Sequence, residues 1–243
     1  MSLKSILAAV LICFTSSLVW ADGNPSDYLH TRTYFGLVGT SISVNNTGLF
    51  SGSRYSVINS PVYDLSLIPS LSQAFGWGLL AGHREEAYAL ELSFWQSSHI
   101  ATINAGVVGS SQQTAVTLSS PAQGTAIYNS VNVDFKRYFL TDLQLQPFLD
   151  LGISFPWIDI NSADIDGSGN PHSLTLAGLG LNLGLGVEYY FTPNFSVVAG
   201  AYQRWASFDQ FKGSLFEYNT LENTGSNDGS GLNFAIAATL GVE

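Results

Sequence analysis

Residues 174–191 run Leu-Thr-Leu-Ala-Gly-Leu-Gly-Leu-Asn-Leu-Gly-Leu-Gly-Val-Glu-Tyr-Tyr-Phe, alternating large apolar with small or polar side chains. One face carries Leu179, Leu181, Leu183, Leu185, Val187 and Tyr189, and the other carries Gly180, Asn182, Gly184, Gly186, Glu188 and Tyr190. A period of two is a β-strand, because successive Cβ atoms point to opposite sides of the pleat. A soluble barrel would point leucine inward and charged or hydroxyl side chains outward. Here the second face is mostly glycine, which suits a narrow interior, so the leucine face needs an apolar solvent outside. This is the pattern of a transmembrane β-barrel strand.

The first 21 residues supply a route to that solvent. They hold one basic residue, Lys4, an apolar stretch from Ile6 to Phe14, and Val19 and Ala21 where a signal peptidase wants small side chains. Residues 1–21 are read as a signal peptide cleaved after Ala21, 22–31 as a short periplasmic segment, and 32–243 as the barrel. The apolar stretch is too short for a retained anchor. Cys13 is the sole cysteine and leaves with the signal, and Ile12 before it spoils a lipoprotein site. An oxidising compartment without disulfides fits a bacterial envelope protein held together by other means.

Hydrophobic residues make up 46% of the chain and charged residues only 11%. After Ala21 there is no run of about 18 apolar residues, so helical spans are excluded. Of the 8 basic and 18 acidic residues, only Lys4 leaves with the signal, so the acidic excess argues against nucleic acid as a partner. Lipopolysaccharide is itself anionic, and acidic loops would lie close to it only with divalent cations between. That describes the surroundings and assigns no metal site.

Alternation and turn residues mark eight segments: 32–44, 73–84, 87–100, 125–139, 145–158, 174–191, 195–208 and 231–243. Links two, four and six are tight: His83-Arg84-Glu85-Glu86-Ala87, Leu140-Thr141-Asp142-Leu143 and Thr192-Pro193-Asn194. Links one, three, five and seven (45–72, 101–124, 159–173 and 209–230) are long and rich in Ser, Gly, Asn and Thr. The expected fold is all-β, an eight-stranded antiparallel up-and-down transmembrane barrel with long loops outside the cell and short turns in the periplasm. An even strand count puts both ends on the periplasmic side. Tyr138, Phe139, Tyr189, Tyr190, Phe191 and Phe195 flank the short turns. Trp77, Phe94, Trp95, Phe155, Trp157, Trp205 and Phe208 lie toward the long loops, giving two aromatic belts at two interfaces.

The chain resembles the single-domain OmpA/OmpX-type outer-membrane β-barrel family over essentially all of residues 32–243. The resemblance is carried by Thr33-Tyr34-Phe35-Gly36-Leu37, Ala89-Leu90-Glu91-Leu92-Ser93-Phe94 and the run from Val131 to Phe139. The runs Leu145–Gly152 and Gly186–Asn194 continue it. It implies location in the bacterial outer membrane and, as partners, membrane lipid, lipopolysaccharide and the barrel-assembly machinery. It says little about activity, since the group includes adhesins, defence factors and structural anchors. Such barrels usually end on an aromatic residue; here the sequence reads Leu240-Gly241-Val242-Glu243.

With Leu, Val and Phe toward lipid, the inward set includes Glu91, Asp134, Lys136, Asp150, Glu188 and Arg204. Buried charges must pair, so a structural network around Lys136 and Arg204 is expected, four acids against two bases. The alternative is a proton or ion path, with water-filled gaps beside glycines 180, 184 and 186. Catalysis is not expected. His99 has Ser97 and Ser98 beside it, but no relay is foreseen between side chains so close along one strand, and no acidic partner is visible. His99 is read as a solvated rim residue. Residues 159–170 lack the D-x-D-x-D-G spacing and twelfth-position Glu of a calcium loop. No cofactor or metal is expected. The leading function is non-enzymatic, either membrane integrity or surface interaction through loops 45–72, 101–124 and 209–230. A narrow channel is the runner-up, and a lipid-modifying enzyme comes third.

Overall fold

A computed structural model describes residues 31–45, 54–57, 63–64, 70–103, 122–163, 172–213, 221–223 and 227–242. The expected signal peptide, its cleavage site and residues 22–30 lie outside the described residues. The long strands are β1 (Arg32–Val44), β2 (Ser70–Glu85), β3 (Tyr88–Ile103), β4 (Ala122–Tyr138), β5 (Leu145–Ala163), β6 (His172–Thr192), β7 (Phe195–Gly213) and β8 (Asn227–Val242). Each pairs antiparallel with its sequence neighbours, and β1 pairs with β8, so the sheet closes as an eight-stranded up-and-down barrel. Closure leaves no unpaired edge, which is what a hydrocarbon solvent demands of a sheet.

Strand existence and phase follow the sequence alternation, but six of the strands reach several residues further toward the long loops than alternation alone placed them. Asn227, read as a loop position, is the first residue of β8. Residues 159–163, read as the start of a loop, belong to β5. The segments read as loops one and seven carry short strands, in which Arg54–Val57 pairs with both Tyr63–Asp64 and Leu221–Asn223. On the opposite side the turns are tight. Glu86 and Ala87 alone join β2 to β3, and Glu86 takes φ 47° to close the hairpin.

The leucine face of β6 does point outward: Leu179, Leu181, Leu183 and Leu185 are all exposed. Its glycine face is covered, not hollow. A Cβ at Gly184 would stand 2.6 Å from the Tyr202 ring, one at Gly186 2.5 Å from the Phe148 ring, and one at Gly180 2.4 Å from the Ser154 hydroxyl. The water-filled gaps expected beside these glycines are therefore filled by side chains of β5 and β7. Gly184→Val is expected to cost about 1–3 kcal/mol through overpacking. Gly241→Ala, whose added carbon would meet nothing nearer than 3.5 Å, should be tolerated. Urea midpoints of the two variants in lipid vesicles check the contrast.

Polarity along the barrel axis comes in two tiers. In the lower tier β5 sends Leu149, Leu151, Ile153 and Phe155 outward and Asp150, Gly152 and Ser154 inward. Past Trp157 the same strand sends Asp159 and Asn161 outward and buries Ile158 and Ile160. The switch recurs around the ring. Ile42, Val44, Leu71, Ala101, Ala126, Leu176 and Phe208 are buried within the outward end, while Ser41, Gln73, Ser98, Thr125 and Thr175 stand on its outer wall. The lower tier is built for lipid. The upper tier is built like a water-soluble barrel with a dry core. Phe94 packs against both Trp77 and Trp157 at the boundary, forming part of an aromatic girdle.

Candidate functional site: the charged lumen

All six inward charges named from the sequence are buried in the lumen: Glu91, Asp134, Lys136, Asp150, Glu188 and Arg204. Two bases join them that sequence reasoning did not name as inward. Arg32, at the start of β1, and Arg84, read as part of a turn, are 5% and 1% exposed and point inward. The lumen therefore holds four acids and four bases among the described residues, in place of four against two.

At the short-turn mouth Arg32 donates to Glu188 at 2.6 Å and to the Tyr190 hydroxyl at 2.7 Å. Arg84 lies 3.7 Å from the other Glu188 oxygen and donates to Gln146 at 2.6 Å. Ser196 also donates to Glu188, and the Arg84 guanidinium stacks 3.9 Å over the Tyr138 ring. Glu188 is thus held by two guanidinium groups and a hydroxyl, an arrangement that meets the desolvation cost of its charge. One layer further in, Lys136 donates to Glu91 at 2.7 Å, and Tyr34 donates to the same carboxylate at 3.2 Å.

The expected centre around Lys136 and Arg204 is not what forms. Lys136 belongs to the Glu91 pair, whereas Arg204 lies 3.7 Å over the Trp95 ring, and its three guanidinium nitrogens make no hydrogen bond to described residues. Asn182 bridges across Gly152 to donate to Asp134 at 3.0 Å. Neither Asp150 oxygen has a hydrogen-bond partner there. An enclosed void of about 10 Å³, lined by Glu91, Lys136, Trp95 and Tyr202 among others, has room for roughly one water.

Ser97 and His99 were not expected to interact, yet they do. Two residues apart, they share the inward face of β3, with Ser97 Oγ 2.5 Å from His99 Nε2. His99 Nδ1 lies 2.6 Å from the Ser72 carbonyl. A carbonyl can only accept, so Nδ1 carries the proton and Nε2 accepts from Ser97. His99 is 4% exposed and not a solvated rim residue. Its second nitrogen meets a neutral carbonyl, where a catalytic triad would place a carboxylate. The register sets this pair among the apolar residues of the upper tier: Ser97 lies opposite Tyr128, in one row with Ile158 and Leu176, and His99 opposite Ala126, in one row with Ile160. No cluster of three or more His, Cys, Asp or Glu among the described residues is arranged to hold a metal ion.

No family model matches the sequence. No curated protein matches it. Solved structures do. Neisserial surface protein A is similar at 14% identity and a TM-score of 0.50, over 86% of this chain and 97% of that one. OprG of Pseudomonas aeruginosa is 13% identical with a TM-score of 0.46, over 88% and 99% of the two chains. Ail of Yersinia pestis is 13% identical with a TM-score of 0.42, over 87% and 99%. At such identities the likeness is one of fold. The apolar belt around the lower tier independently requires a lipid environment. The chain has the eight-stranded architecture of the small bacterial outer-membrane barrels, the one that its resemblance to the OmpA/OmpX type implied.

Proposed function

We propose that the protein is a non-enzymatic, non-conducting outer-membrane barrel. Its work is structural or is done by its outward segments, and its lumen charges serve as a packed internal brace. The observation that carries this reading is the dry tier at the outward end: Ile42, Leu71, Ile158, Ile160, Leu176 and Phe208 fill the barrel above the charged layers. An ion leaving the Glu91–Lys136 layer toward the cell exterior would have to cross that apolar core without a partner, at a steep desolvation cost. An eight-stranded barrel is just wide enough for its own side chains. The Ser97–His99 pair has no acidic member among the described residues and is buried in the same rows as that core, which favours a packing role over hydrolysis. Refolded protein in a planar bilayer is expected to give no steady single-channel conductance. A persistent open level would favour the channel reading and overturn this one.

A further inference from the structure

We propose that the lipid-facing wall of β7 is a docking face for a second copy of this chain, the two copies meeting through their Gln203 amides inside the membrane. On the outward faces of β5–β8 in the lower tier, Gln203 is the only side-chain amide among the described residues. The register surrounds it with hydrocarbon side chains. Gln203 lies directly opposite Leu183 on β6 and Leu232 on β8, both exposed. Along β7 the same face carries Ala201 on one side of it and Trp205 on the other. The amide therefore stands short of the outward-end aromatics, at the depth of the apolar belt.

Its own barrel satisfies this amide only in part. One side-chain N–H donates to the Arg204 carbonyl at 3.3 Å, and no described residue donates to the side-chain oxygen. An acyl chain offers neither a donor nor an acceptor, so lipid leaves the group wanting. Inside a bilayer, such a group is met by a complementary group on a neighbouring span. A second copy supplies that group by symmetry. Two copies inserted in the same direction are related by a twofold axis along the membrane normal, which keeps equal residues at equal depth. On that axis each Gln203 N–H faces the other copy's amide oxygen, and two hydrogen bonds form together. The same rotation turns β6 of one copy toward β8 of the other, so the Leu183 flank meets the Leu232 flank, apolar against apolar. Ala201 beside the amide is too short to hold the walls apart. No charged side chain stands on the outward lower-tier faces of β6–β8 among the described residues, so nothing there selects a partner of opposite charge.

The proposal does not rest on the sealed lumen, and the conductance result leaves it untouched. Sedimentation equilibrium of the refolded protein in density-matched detergent micelles, over a range of protein-to-detergent ratios, tests it. The expected result is a reversible monomer–dimer equilibrium that Gln203→Leu weakens at least tenfold. The urea midpoint of Gln203→Leu at high dilution in vesicles should not fall, because the position faces lipid. Ala201→Phe keeps the amide but props the walls apart, and it should weaken the dimer several-fold. A wild-type protein that stays monomeric at every ratio would overturn the proposal. So would a dimer that Gln203→Leu leaves intact, and a dimer indifferent to Ala201→Phe would place the contact elsewhere on the barrel and overturn it equally.

Discussion

Glu188→Ala is expected to lower stability by about 3–5 kcal/mol, the usual cost of stripping one partner from a buried charge cluster. The carboxylate sits between Arg32 and Arg84, and both guanidinium groups are nearly inaccessible to solvent. Without it, two positive charges face each other in a narrow mouth, left with neutral acceptors: Tyr190, Gln146, Ser196 and the Pro193 and Glu86 carbonyls. Glu188→Gln should be milder, since its amide oxygen can still accept from one arginine. Replacing all three by apolar residues of similar size, as Arg32→Met, Arg84→Met and Glu188→Leu together, should recover much of the loss. Equilibrium unfolding in vesicles reads all three. A Glu188→Ala midpoint indistinguishable from wild type would mean that the mouth is hydrated and the cluster braces nothing.

Leu183→Arg carries the second large effect, about 2–4 kcal/mol for a cation on the lipid face near the midplane. Leu183 is 50% exposed, in the apolar belt of the lower tier. Its neighbour Asn182 is fully buried in the lumen, and Asn182→Ala removes one hydrogen bond to Asp134, an expected loss of about 1–3 kcal/mol if that carboxylate stays unpaired. The register also shows why arginine is a poor probe at 182. That position lies directly opposite Arg204, so a second cation there would meet repulsion as well as crowding. Refolding yield and urea midpoint decide the ranking. A harmless Leu183→Arg would mean that this wall does not face lipid at midplane depth.

Much of this architecture was legible because β6 spells out its own phase. Once leucine is known to face lipid, every residue in step with Gly184 faces the lumen, and Asp134, Asp150 and Glu91 follow from the same parity on their strands. Arg84 was missed although parity could have found it. It is in step with Leu80 and Gly82, but its place in a charged run at a strand end reads more naturally as a turn. Arg32, two residues before Tyr34 and the first residue of the strand as read from the sequence, shares that inward parity but was not singled out. The upper tier was missed for a different reason. At Pro156 and Trp157 the apolar residues of β5 change from odd to even positions, and such a slip of phase looks like the end of a strand. Only pairing with β4 and β6, which continues through Asp159 and Ile160, shows that the strand goes on while its solvent changes. The partners of each charge were beyond sequence reasoning. Lys136 lies directly opposite Asp150 in the register yet bonds Glu91, a choice made by side-chain geometry across a narrow lumen.

The reversal of polarity at the girdle also fixes how deep the molecule can sit. An ordinary barrel with polar loops can bob along the membrane normal at a cost of fractions of a kcal/mol per ångström. Here a shift toward the short-turn end drags Asp159, Asn161 and Thr175 into hydrocarbon, and a shift the other way lifts Leu181 and Phe155 out of it. Both directions are opposed by groups on the same strands, only a few residues apart. The protein is thus expected to discriminate between bilayers of different thickness. It should settle in membranes whose apolar slab matches the height of its own belt and strain those that do not. In vesicles of graded acyl length its refolding yield would then peak sharply at one thickness.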